Sequence, residues 1–257
     1  VLAHKGLLVR SLVAVLVVVP VAAVLMVKLL PLGPAVSSGL LVMALSAGPA
    51  MAIFKASRVG ADKSYAFVLD VSLLVLSLFF VPAAVALLGV VFQRPLHFGV
   101  LDVAKVLLPL QLLPLLAGAL VARVWPSFAK RAERPLWLGA IAAVVLVALV
   151  VLVAMARPLL AIGAPRLFAI AAFALFAVAA GHALGGPEES TRRLLATFSG
   201  MRFPALALAL ATLSEVKEQV VPVVLAYLLF TLVVLAIYAA LARRSGAVPG
   251  RTAGAQQ

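Results

Sequence analysis

Arg202 lies inside the apolar run TFSGMRFPALALALA, residues 197–211, two residues after Gly200 and two before Pro204. A guanidinium near the middle of a bilayer costs on the order of 2.5–3.5 kcal/mol on insertion scales, so it takes a partner or water with it. Asp70, in VLDVSLL, is the one acidic residue well inside an apolar run. A lone cation and a lone acid can pair with each other, or they can hold a charged solute. They do not make a constellation of acid, base and nucleophile. The sequence also has no zinc spacing, phosphate loop or nucleophile elbow. Cysteine is absent, which excludes thiol catalysis and disulfides. The chain therefore reads as a non-enzyme without a metal site. Its expected solute-binding residues are Ser46, Gly48, Pro49, Asp70, Thr197, Ser199, Gly200, Arg202 and Pro204. Other buried-type polar groups, such as Ser77 and Gln111, suit helix packing as well as a cavity wall.

The elements that must position these residues are membrane helices. Of the 257 residues, 66% are hydrophobic and only 11% charged, and the mean hydropathy is +1.26. A soluble domain is about 45–50% apolar and about 25% charged. The apolar runs have the length of helical spans rather than of alternating barrel strands. In hydrocarbon a helix satisfies its own backbone groups. The fold class expected is an all-α polytopic membrane protein of about eight transmembrane segments. They fall near residues 7–30, 36–55, 64–92, 101–124, 135–156, 159–184, 191–213 and 219–242, with a polar tail at 243–257. The lipid bilayer is one partner. The net charge of +13 reads as loop charge rather than nucleic-acid binding, because no long basic arm or aromatic platform accompanies it.

Fourteen of the 21 lysines and arginines fall on the side that holds both ends of the chain. By the positive-inside rule that side is cytoplasmic. Trp125 and Trp137 flank a basic loop at 126–134, as interfacial anchors do. Entering from the cytoplasm, Asp70 lies about 9 Å deep and Arg202 about 12–15 Å deep, at 1.5 Å per residue. Similar depth and opposite charge predict an ion pair between them; the alternative is that Arg202 snorkels to a headgroup while Asp70 is protonated or faces a water cavity. Asp102 and Lys105, three apart, predict a surface pair. His182 is expected at the membrane interface.

Two segments are interrupted, the second by Ser46-Ala47-Gly48-Pro49-Ala50 and the seventh by Ser199-Gly200-Met201-Arg202-Phe203-Pro204. Proline removes a backbone donor and clashes with the preceding turn. Each interrupted segment is followed by one long helix, an order that predicts an inverted-repeat carrier. On that scheme the second half is complete and the first lacks two helices, so the chain, which begins with Val1, is expected to be truncated at its N-terminus.

The chain resembles the bile acid:sodium symporter family. The resemblance is carried by LLVRSLVAVLVVVPVAAVLM, by GLLVMALSAGPAMAIFKASRVG, by GHALGG and by the run around Arg202. It implies a core domain (residues 1–92 and 158–242) and a panel domain (93–157), with two broken helices that cross at the centre. It also implies a sodium-coupled carrier. The sodium-ligand positions are not kept. Aligned on Gly200, the family's acidic and amide ligand positions fall at Phe198, Arg202 and Phe203. A Ser-Asn pair falls at Ala52 and Ile53, and a sodium-binding threonine falls at Asp70.

The function expected from these residues is alternating-access transport of a small organic anion, without the usual sodium sites, in a bacterial cytoplasmic (inner) membrane. Arg202 would take the place of the bound cation. The alternative is a membrane sensor or assembly subunit that keeps the carrier fold. The sequence leaves the solute, the coupling ion and the oligomeric state open.

Overall fold

Prolines and glycines divide the apolar sequence into helices in the computed structural model, which describes residues 5–47, 63–93, 99–154, 156–212 and 217–244. The first span holds α1 (Lys5–Val13) and α2 (Val19–Leu29), joined without a break by a π-helical turn at Ala14–Val18. Then come α3 (Pro34–Leu45) and α4 (Lys63–Val91). The next span is α5 (Val100–Leu107) and α6 (Leu113–Val124) around a second π-helical turn, Leu108–Leu112. It is followed by α7 (Pro126–Ala154), α8 (Ala156–Ala161), α9 (Ala164–Leu184), α10 (Glu189–Gly200), α11 (Pro204–Ala211) and α12 (Lys217–Arg244).

Among the described residues, six helices are long and apolar enough to cross a membrane. Two of the eight expected segments are not among them. The second is represented by the shorter α3, and the rest of it, including Gly48, Pro49, Ala52 and Ile53, lies outside the described residues. The fifth lies within α7. The loop expected at 126–134 is instead the first part of that helix. Pro126 opens α7 at a position where a missing N–H costs nothing. Pro135 is tolerated inside it, on an exposed face. The Asp102–Lys105 surface pair is present at 4.0 Å.

The core is built from α2, α3, α9, α11 and α12. Leu40, Met43, Ile170, Phe173, Val223 and Tyr227 meet there, all fully buried. Small residues let backbones approach, as helix association in lipid requires. A Cβ on Gly39 of α3 would lie 2.4 Å from Cγ1 of Val223 on α12. A Cβ on Gly181 of α9 would lie 2.5 Å from the Leu195 carbonyl oxygen of α10. A second cluster joins the first π-helical turn to α4 and α10 through Val15, Leu69, Leu73, Leu194 and Phe198. By contrast, α6 buries no residue. The exposed Leu, Val and Phe side chains along the spans suit a lipid surface, where apolar exposure carries no penalty.

Candidate functional site

The seventh segment breaks at Met201–Phe203, between α10 and α11. Pro204 favours the break, because a proline disfavours helical geometry at the residue before it and Gly200 loosens the preceding turn. Phe203 accordingly has φ −87° and ψ 102°. The break frees a backbone donor, and the end of α3 supplies the acceptor. Phe203 N–H donates to the Ser46 carbonyl at 2.9 Å. Ser46 is the residue that ends α3, and its hydroxyl donates to the Met43 carbonyl at 2.9 Å. The two interrupted segments thus meet through their main chains. Unwound backbone is tolerated within a membrane where protein covers it or it lines a cavity.

Arg202 sits in this break with 3% of its surface exposed. Its Nη1 donates to the Val15 carbonyl at 3.2 Å. The sequence explains why that carbonyl is free. In the π-helical turn the bonds run from residue i to i−5, as Val19 N–H does to the Ala14 carbonyl. The next donor in that register, reaching Val15, would be residue 20. Residue 20 is proline and has no N–H. Pro20 therefore leaves an acceptor for Arg202, 187 residues away along the chain. The π-helical turn and the buried cation are two ends of one arrangement.

Tyr227 of α12 completes the surroundings. Its hydroxyl lies near the Arg202 guanidinium and donates to the Gly200 carbonyl at 2.7 Å. That carbonyl belongs to the last turn of α10, where acceptors have no helical partner. Gly200 is also a point of close approach, since a Cβ there would come within 2.6 Å of Val178 Cγ2.

The expected Asp70–Arg202 ion pair is not formed. Asp70 is 1% exposed, and its Oδ1 accepts a long hydrogen bond, 3.5 Å, from Nε2 of Gln111. Depth alone misled here. Asp70 lies on the side of α4 that meets the second π-helical turn, which carries Gln111. Arg202 is drawn instead to the carbonyl that Pro20 frees. The structure brings Ser46, Gly200, Arg202 and Pro204 together at the break. Thr197 spends its hydroxyl on the Arg193 carbonyl one turn back, at 2.9 Å. Ser199 is fully buried in α10, and its hydroxyl finds no hydrogen-bond partner among the described residues. Gly48 and Pro49 lie outside the described residues.

Sequence reasoning missed Val15, Tyr227 and the buried state of Arg193. A backbone carbonyl has no sequence signature, although a proline five residues later is a usable hint. Tyr227 reads as one aromatic among many. Arg193 reads as loop charge, yet it is 2% exposed, bonding Glu189 at 3.0 Å and the Ala242 carbonyl at 3.4 Å. His182 places its Nδ1 2.6 Å from the Tyr238 hydroxyl.

Residues 1–162 match the model of the sodium bile acid symporter family. The chain belongs to that family. Members of the sodium bile acid symporter family are transporters rather than enzymes, and this chain is an integral membrane protein of the symporter type. The matched part includes Val15, Pro20, Ser46 and Asp70, whereas Arg202 and Tyr227 lie beyond it. A comparison with curated proteins finds no match.

Proposed function

We propose that this symporter-family chain is a secondary carrier of a small organic anion, working by alternating access. In this reading Arg202 supplies permanently the positive charge that a bound sodium ion supplies in the family. The observation that carries it is the buried guanidinium at the unwound junction, beside the end of α3. Two of the aligned sodium-ligand positions, Phe198 and Arg202, supply no oxygen ligand to a hard cation, which supports this reading. Phe198 is fully buried among apolar side chains, and a guanidinium offers donors only.

The core (1–92 and 158–242) would move against the panel (93–157). The sparse packing of α6 supports such a division. The inverted repeat is supported by the meeting of two interrupted segments. The charge asymmetry of the loops supports both chain ends in the cytoplasm, and the Ala/Leu/Val/Arg-rich helices are the ground for a bacterial inner membrane.

The test is uptake or exchange in proteoliposomes in sodium-free, choline-based medium. Transport is expected to persist there. Loss of transport that sodium restores saturably would show that Arg202 has not replaced the ion. The sensor or assembly-subunit reading is favoured by the apolar side chain at the position of the family's acidic ligand. It predicts solute binding without solute-dependent exchange in the same vesicles.

A further inference from the structure

A guanidinium presents its five N–H groups as a planar set of forks. Nη1 lies on the same side of the Nε–Cζ bond as Cδ, so the Nε–H and the neighbouring Nη2–H point the same way, as a parallel pair. In Arg202 the hydrogen bonds divide along that geometry. Nη1 is held by the Val15 carbonyl at 3.2 Å. Nε and Nη2, the two atoms of the parallel fork, are sealed from solvent and have no hydrogen-bond partner among the described residues. No carboxylate among the described residues pairs with the side chain. Asp70 faces Gln111, and Glu189 faces Arg193. The nearby Tyr227 hydroxyl donates its proton to the Gly200 carbonyl, and its oxygen, an acceptor beside the guanidinium, makes no hydrogen bond of good geometry with Nε or Nη2.

A buried charge with an unmatched donor edge is strongly unfavourable in apolar surroundings. Here it is also held in one orientation, since the carbonyl freed by Pro20 fixes the opposite side of the guanidinium. From this division the geometry points to a carboxylate, bound side-on by its two oxygens to Nε and Nη2 of Arg202, as the ligand of the junction between α10 and α11. Parallel N–H···O bonds from one guanidinium edge match the spacing of carboxylate oxygens. A halide cannot use both donors with equal geometry, and a lysine cannot provide the fork. The fork is closed off in this conformation, so the anion enters when the junction between Ser46 and Phe203 opens. This deepens the carrier reading by naming the solute's recognised group. Carboxylate binding itself does not depend on transport.

The experiment uses the full chain in detergent, labelled with 15N-arginine. The Nε–H resonance of Arg202 is identified by its loss in Arg202→Lys. Formate is the probe, because it fits wherever any carboxylate fits, and formamide is its neutral counterpart. Formate is expected to shift the Arg202 resonance saturably, formamide to leave it in place, and chloride to bind at least about tenfold more weakly than formate, the equivalent of one charge-assisted hydrogen bond. Formate protection against heat, measured separately, is expected in the unsubstituted chain and absent in both Arg202→Lys and Arg202→Gln. An Arg202 resonance indifferent to formate, or one that moves equally with formamide, overturns the inference. So does equal heat protection of all three chains. Carboxylate binding without exchange in vesicles refutes only the carrier reading, and sodium-independent exchange with an indifferent resonance refutes only the fork.

Discussion

Replacing Arg202 with methionine separates a residue kept for function from one kept for stability. Methionine is unbranched and flexible, so it follows the first part of the same buried path and ends short of the guanidinium. The substitution forfeits the bond from Nη1 to the Val15 carbonyl, about 1.5–3 kcal/mol for a charged donor. It also removes two buried nitrogens without protein partners, Nε and Nη2. Each carries a desolvation cost of about 1–3 kcal/mol, and more when charged. The balance favours methionine by about 1–3 kcal/mol, within the range found when buried ionic groups give way to apolar ones. For a chain of this size 1 kcal/mol moves the melting temperature by about 2–4 °C. Arg202→Met is therefore expected to melt about 2–12 °C higher than the unsubstituted chain in anion-poor buffer, followed by size-exclusion after heating. Saturating formate should narrow the gap by stabilising only the arginine form. A methionine variant that melts lower, by as much as Phe173→Ala in the buried core, would refute the reasoning, because Arg202 would then be a satisfied structural residue.

Pro20→Ala restores an N–H that competes for the Val15 carbonyl, so formate affinity should fall by roughly tenfold, about 1.4 kcal/mol, while the melting temperature holds or rises because an interior proline is removed. Gly39→Ala should lower stability by about 1–3 kcal/mol through overpacking against Val223. Adding Val223→Ala should recover much of that loss, which a double-mutant cycle on melting curves would register as strong coupling. Gln111→Leu removes the amide that Asp70 bonds and should cost about 1–3 kcal/mol. Asp70→Asn retains a partner for Gln111 and should melt near the unsubstituted chain.

The sequence alone determined that the chain lives in a bilayer, because its apolar runs have span length and its charges are sparse. It determined that the seventh segment breaks, because Gly200 and Pro204 bracket Arg202 and proline chemistry is local. It also determined the family, whose motifs lie mostly in contiguous stretches. Tertiary structure decided what local chemistry does not encode. Depth along separate helices suggested that Asp70 and Arg202 meet, but depth says nothing about the direction in which each helix turns its side chain. Asp70 turned to Gln111 and Arg202 to Val15 because helix rotation is fixed by packing, through contacts such as Leu69 and Leu73 of α4 against Leu194 and Phe198 of α10. The acceptor for Arg202 is a main-chain carbonyl exposed by a proline five residues further on, in a π-helical register that composition does not announce. Only folding brings residues 15 and 202 together, and only then does the free edge of the guanidinium acquire a direction.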